Sequence, residues 1–211
     1  AEYALLPAHH VFRMETDLDW VSLAAVPETY YTAYGSLFES LYLQRGEMLL
    51  VRGATSNVGQ AAIQLAKAVG ATVIAAARRE SSFEKLQVIG ADYCIIDDEH
   101  LCEKEWPVRP NKVLELIGLK TLRDSLLTVS RPGYVCHTGV LGNVFSLNGF
   151  DPIKYIPNGV FLTSFYSNFP TQQAIDGIFR LIRENHLQPL YAKVFSLNEI
   201  VQAHTLLEKG G

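Results

Sequence analysis

The chain has 211 residues, with 18 Lys and Arg against 22 Asp and Glu for a net charge of −4, and with 48% apolar and 19% charged side chains. A high apolar fraction with a small net charge excludes disorder, and a chain this long can bury roughly 70% of its unfolded surface without disulfides or metals. Mild acidity leaves no basic footprint for nucleic acid or an anionic membrane, and no apolar run approaches the ~18 residues that cross a bilayer.

Residues 1–25 mix polar and apolar positions, with an extended stretch expected from Tyr3 to Val11 and a short helix from Trp20 to Ala25. A regular alternation then begins. Thr29 to Tyr42 reads as a helix, and Met48-Leu49-Leu50-Val51 as a strand covered on both faces. Val58, Ala61, Ala62, Leu65, Ala66 and Val69 recur at helical spacing, and Gly70 closes that helix. Further strands are expected at Thr72–Ala77, Tyr93–Ile96, Lys112–Leu116, Tyr134–His137 and Gly159–Thr163, with a helix at Ser82–Ile89. Thr121 with Asp124 three residues on has the form of a capping box opening a helix to Val129. Strands alternating with helices of this length define a doubly wound α/β fold around a parallel sheet. The tail differs: a helix from Thr171 to Asn185, a brief extended piece at Val194-Phe195, and a capping box at Ser196–Glu199 opening a helix to Gly210. It adds no further strand–helix–strand unit and is expected to leave the sheet.

Cys94, Cys102 and Cys136 form an odd set with no C-x-x-C spacing, which matches neither a disulfide framework nor a structural zinc site. They read as small hydrophobes or idle thiols. The chain opens Ala1-Glu2-Tyr3 with no basic or apolar leader, and the expectation is a reducing, cytoplasmic setting.

The most informative stretch is Arg52-Gly53-Ala54-Thr55-Ser56-Asn57-Val58-Gly59-Gln60, which joins the first buried strand to an amphipathic helix. Unpaired N–H groups and the positive end of the helix dipole meet a pyrophosphate at such a turn, and Gly59 lets the helix pack tightly on the strand. The match to G-x-G-x-x-G is imperfect, because Ser56 stands where the central glycine would fall. A tight turn without a ligand remains the alternative. The second strand ends Ala77-Arg78-Arg79-Glu80. An acidic residue there would hydrogen-bond a ribose hydroxyl, whereas two guanidinium groups suit a 2′-phosphate and so favour NADPH over NADH. A pair of solvated arginines is the alternative.

With these residues in place the chain resembles the medium-chain dehydrogenase/reductase superfamily, in its zinc-independent quinone oxidoreductase and enoyl reductase branch. The matching blocks are Val26 to Gly35, Gly53 to Gln60, Leu86 to Ile95, Val113 to Gly118 and Pro132 to Gly139. The resemblance implies a Rossmann-type sheet that binds NADP, with remnants of a GroES-like catalytic domain at both ends. It implies backbone contacts to the pyrophosphate from Ser56, Asn57 and Val58, and 2′-phosphate contacts from Arg78 and Arg79. Leu116, Ile117 and Gly118 would line the cleft. Thr138, Gly139, Val140, Leu162, Thr163 and Thr32 would meet the nicotinamide side. Residues 1–25 would belong to the catalytic domain, 26–170 to the dinucleotide-binding domain, and 171–211 to a connecting helix and return segment.

The sequence also departs from that family. Zinc-dependent relatives carry a cysteine where Glu28 stands, and His9, His10, His100, His137, His186 and His204 show no ligand spacing, so no metal site is expected. Only His137 is expected near the cleft, where an ordinary strand-end role also fits. Tyr30, Tyr31 and Tyr34 are acids by chemistry, although helix packing is the commoner role for such aromatics. Most of the catalytic domain is lacking, so the substrate-facing residues are expected elsewhere. The readings that follow are an NADPH-dependent reductase acting on a small quinone or an α,β-unsaturated carbonyl compound, or a dinucleotide-binding module without turnover. Another Rossmann-type enzyme, such as a methyltransferase, fits the basic strand tip less well. A homodimer through a sheet edge at Val160–Phe165 is expected.

Overall fold

The computed structural model describes residues 3–208. Six parallel strands form one sheet: β1 (Met48–Arg52), β2 (Thr72–Ala77), β3 (Tyr93–Ile96), β4 (Lys112–Glu115), β5 (Gly133–His137) and β6 (Val160–Ser164), in the order β3-β2-β1-β4-β5-β6. The helices are α1 (Trp20–Ala24), α2 (Pro27–Tyr34), α3 (Asn57–Ala68), α4 (Phe83–Val88), α5 (Leu122–Thr128), α6 (Pro152–Tyr155), α7 (Gln172–Glu184) and α8 (Ile200–Glu208). The chain turns back at β1, so β2 and β4 lie on either side of it, and a crevice opens above the carboxyl ends of β1 and β4. Residues Leu49, Val51, Val73 and Ala75 point to one apolar layer with α2, α3 and α7. Leu50, Ile74, Val113 and Val135 point to a second layer under α5. The alternation is that of strands buried on both faces, which explains the apolar runs at 48–51 and 73–77 in the central strands β1 and β2.

Most expected elements are present within two residues of their expected ends, and four details differ. Tyr3–Val11 forms no strand; its only regular piece is a 3₁₀ turn at Ala8–His10. The helix from Pro27 does not run uniformly to Tyr42 but widens into a π-helical segment at Gly35–Ser40. Sequence gives no sign of this, because the cause is tertiary: the Lys112 ammonium donates to the carbonyl of Leu41 at 2.7 Å, and the Phe165 ring lies against Gly35 where no Cβ could fit. Thr121 makes no side-chain cap, and Asp124 is instead drawn to Arg52 and to the amides of Leu101 and Cys102. Val194-Phe195 is irregular, whereas the capping box at Ser196 and Glu199 is formed.

The tail is also more integrated than its sequence indicates. Ile175, Ile178, Phe179 and Ile182 of α7 are buried in the same layer as α2 and α3, and a fully buried side chain of this size contributes about 1.5–3 kcal/mol. Helix α8 buries no residue; its expected end at Gly210 lies outside the described residues. No helix among the described residues is long and apolar enough to cross a membrane.

Candidate functional site: the crevice above β1 and β4

The turn from β1 into α3 builds the floor of the crevice. Ser56 sits at the N-cap, where its hydroxyl accepts from the amide of Gly59 at 3.1 Å and donates to the carbonyl of Gly53 at 2.8 Å. A serine at this position therefore ties the turn closed from within, although the fingerprint has glycine there. Gly59 is required by space: a Cβ would stand 2.6 Å from the carbonyl oxygen of Gly53 and 2.8 Å from the Cα of Ala54. With Ser56 Oγ serving Gly59 and Ser56 O serving Gln60, the amides of Asn57 and Val58 have no partner among the described residues. Two unpaired N–H groups at the start of a twelve-residue helix are a fitting cradle for a pyrophosphate.

Arg78 and Arg79 follow β2 at the rim beside this turn. Both are exposed, and neither side chain has a hydrogen-bond or ion-pair partner among the described residues. The facing wall comes from β4. Leu116 is buried in the core, with its Cβ close to Gly53, while Ile117 is half-buried. Gly118 has φ +100, and its Cα lies so near the carbonyl of Gly139 that a Cβ there would stand 2.5 Å from that oxygen. The amides of Leu141 and Gly142 donate to the carbonyls of Leu116 and Ile117 at 3.3 and 2.7 Å. The turns after β4 and β5 thus form one wall.

Thr138 stands at its end. Ser36 donates its only hydroxyl hydrogen to the carbonyl of Thr32 at 2.7 Å, so across the 2.8 Å contact between Ser36 and Thr138 the threonine must donate. Burial pushes the Cys136 thiol up and keeps it protonated, which makes it the donor to Thr138 Oγ1 at 3.3 Å. A directed chain results, from Cys136 through Thr138 and Ser36 to the backbone of Thr32. Thr138 therefore has its proton committed within the protein. Thr32 itself is buried and donates to Glu28 at 3.2 Å.

The remaining candidates are spread more widely. Val140 is exposed. Leu162 and Thr163 on β6 line a cleft of about 350 Å³ with Leu119, Leu147 and His137, and Leu162 packs under α5. His137 is half-buried, its Nε2 has no partner among the described residues, and burial holds its pKa below the ordinary value. The tyrosines pack. Tyr30 is 2% exposed with its hydroxyl bonded to Gln64 and its pKa driven up by burial, Tyr31 meets Phe165 edge to face, and Tyr34 meets Phe38.

A constellation that sequence reasoning missed lies directly beneath the crevice. Arg52, the last residue of β1, is fully buried. Its Nε and Nη2 donate to the two carboxylate oxygens of Asp97 at 2.8 Å each, and Nη1 donates to Asp124 at 2.6 Å and to Ser125 Oγ at 3.1 Å. Glu115 lies 3.9 Å from Nη1 and accepts from Ser125 and from the amide of Gly118, the latter at 2.9 Å. Burial raises the Glu115 pKa, against the opposing pull of Arg52. Desolvation works to lower the pKa of Arg52, but the surrounding carboxylates outweigh it and hold it above its usual value. A charged residue ending an otherwise apolar strand was the available signal.

Sheet order, the glycine-pinned turn and the unpaired amides together define a dinucleotide-binding α/β domain. The family model for zinc-binding dehydrogenases matches residues 57–179. The chain belongs to this family, within the quinone oxidoreductase and enoyl reductase-like branch of the medium-chain dehydrogenase/reductases. It is 28% identical to a quinone oxidoreductase of Pongo abelii over 97% of the chain and 64% of that protein. A highly reducing polyketide synthase, pkhB of Emericella nidulans, aligns at 26% identity over the full chain and 9% of its own length. The crystal structure of AibC superposes with a TM-score of 0.84 at 25% identity, covering 97% of this chain and 57% of AibC. The chain thus spans about two thirds or less of these proteins. Among the described residues, no three His, Cys, Asp or Glu side chains converge to hold a metal ion, so the donor set present does not fit the zinc of the family's name.

Proposed function

We propose that the chain is the nucleotide-binding part of an NADPH-dependent oxidoreductase that passes hydride to a quinone or an α,β-unsaturated carbonyl compound without zinc. The observation that carries this reading is the pair of unpartnered amides at Asn57 and Val58, beside two unpartnered arginines at the tip of β2. When bound, NADPH supplies the hydride itself, and the protein supplies orientation and electrostatics. In this reading Ser56, Asn57 and Val58 hold the pyrophosphate, Arg78 with Arg79 takes the 2′-phosphate, and Leu116 to Gly118 line the cofactor cleft. Thr138, Gly139 and Val140, with Thr32 behind them, face the nicotinamide, and Leu162 and Thr163 complete that side. The family name and the Pongo abelii quinone oxidoreductase support the reaction class. Glu28, at the position of the zinc-dependent relatives' cysteine, is engaged with Thr32, which supports chemistry without metal.

A dinucleotide-binding module without turnover is the second reading. It is favoured by the burial of Tyr30, whose hydroxyl is bonded to Gln64, and by the packing of the Tyr31 and Tyr34 rings against Phe165 and Phe38. The proposal further includes a cytoplasmic setting, supported by three unpaired thiols, and a homodimer through the exposed edge of β6.

The deciding experiment is fluorescence titration with NADPH and NADH. NADPH is expected to bind more tightly, and Arg78→Ala should weaken it by about 1–3 kcal/mol while leaving NADH nearly untouched. Equal or reversed affinities would overturn the cofactor assignment. Steady-state assays of the chain alone should show little quinone or enone reduction, and brisk turnover would place the substrate site within these residues.

A further inference from the structure

The buried cluster around Arg52 is difficult to explain by stability. Desolvating four charged groups is expensive, and well-packed apolar side chains of similar volume often serve a core equally well. What the cluster does is geometric. Arg52 leaves the end of β1 and reaches the turn after β3 through Asp97, the start of α5 through Asp124 and Ser125, and the end of β4 through Glu115. Each partner in turn holds backbone. Asp97 accepts from the amide of Glu99 at 3.0 Å, Asp124 from the amides of Leu101 and Cys102 at 3.0 and 2.9 Å, and Glu115 from the amide of Gly118. Gly118 is locked against Gly139, and the 139–142 turn hangs from the carbonyls of Leu116 and Ile117. Every turn held in this way lies at the carboxyl edge of the sheet.

We propose that Arg52 is a positioning residue for the dinucleotide crevice. Through Ser125 and Glu115 it sets the 116–118 and 139–142 turns, and through Asp97 and Asp124 it sets the 97–102 turn. The spacing of the crevice walls is therefore fixed from beneath by one guanidinium that touches no cofactor. The ligand class, a nicotinamide dinucleotide, rests on the function proposed above; the mechanical role of Arg52 does not. A lysine could not replace it, because only the planar fork reaches Asp97 with two parallel bonds while a third nitrogen serves Asp124 and Ser125.

The test compares Arg52→Lys and Ser125→Ala with Ile182→Ala, a buried truncation near the carboxyl end of α7 with no hydrogen bond to the Arg52 network. Ser125→Ala removes one hydroxyl and little volume, so it remains informative if Arg52→Lys fails to fold. Backbone hydrogen exchange is measured by mass spectrometry on peptides covering 97–102, 116–121 and 139–142, and NADPH affinity by titration. For Ser125→Ala the inference expects exchange to quicken in the 116–121 and 139–142 peptides and the NADPH Kd to rise about threefold to tenfold, the range for one lost hydrogen bond. Ile182→Ala should lower the melting temperature while leaving exchange in all three peptides and the Kd within about twofold. Unchanged exchange and affinity in a folded Ser125→Ala protein would overturn the inference. If the wild-type chain binds neither NADPH nor NADH, the function proposed above falls, and the exchange measurement still decides the role of Arg52.

Discussion

Replacing Gly59 by alanine tests the geometry of the crevice directly. The added methyl carbon would stand 2.6 Å from the carbonyl oxygen of Gly53 and 2.8 Å from the Cα of Ala54, both of them backbone atoms, whereas ordinary contact begins near 3.4 Å. The start of α3 must therefore move by about 0.8 Å, the difference between 3.4 and 2.6. A phosphate contact of about 2.9 Å stretched by that amount leaves hydrogen-bonding range. Losing one such charge-assisted contact costs about 1.5–3 kcal/mol, or at least a tenfold rise in the NADPH Kd. Overpacking adds about 1–3 kcal/mol of instability, and about 2–4 °C of melting temperature accompanies each kcal/mol in a chain of this size. Gly46→Ala is the matched control: Gly46 has φ +81 with open space around it, so alanine there should cost about 1–2 kcal/mol of stability through backbone strain alone. Calorimetry and NADPH titration of both variants separate the effects. The reasoning is refuted if Gly59→Ala binds NADPH like the wild type, or if Gly46→Ala weakens binding as much as Gly59→Ala does.

Three further outcomes are expected. Ile178→Ala, which empties a fully buried position in α7, should destabilise the fold by about 2–5 kcal/mol in urea denaturation; a loss near zero would show that α7 is not part of the core. Burial holds the His137 pKa below its ordinary 6.5, so its contribution to stability is present above that value and lost as pH falls through the folded-state pKa. Acidification from about pH 7 to about pH 5 should therefore destabilise the wild type more than His137→Gln, as read by thermal melts across that range. Phe161 on the open edge of β6 is 52% exposed and stacks on Tyr134; Phe161→Lys should shift sedimentation from dimer to monomer, and a wild-type chain that sediments as a monomer would remove the dimer from the proposal.

Local rules accounted for much of the framework. The wholly apolar run Thr72–Ala77 is a strand because both its faces are covered, and its bounds coincide with β2. Ser196 and Glu199 satisfy each other within one turn, so that cap forms whatever surrounds it. The capping box read at Thr121 and Asp124 failed because Asp124 has a stronger partner 72 residues earlier in the chain. No local pattern could show that competition. The π-helical segment likewise meets Lys112 of β4 and Phe165, just past β6, both distant in sequence. Among candidate site residues, the geometry of the turn at Gly53–Gly59 was legible because it is set by backbone and by small residues at fixed spacing. The Arg52 cluster was not, since one arginine and three carboxylates that look solvent-facing in sequence become one buried network only after β1, β3, β4 and α5 are brought together.

That unit also constrains how the sequence can change. Removing Arg52 alone leaves Asp97, Glu115 and Asp124 without their shared cation, and an uncompensated buried charge costs about 3–5 kcal/mol, a large share of the roughly 5–15 kcal/mol that holds a typical domain folded. Replacing the whole group by apolar side chains could leave the fold as stable as before, yet a path that begins by replacing Arg52 passes through a far weaker protein. The three carboxylates therefore depend on Arg52 more than it depends on any one of them. A designer altering the neighbouring crevice turns would need to treat them as a single position.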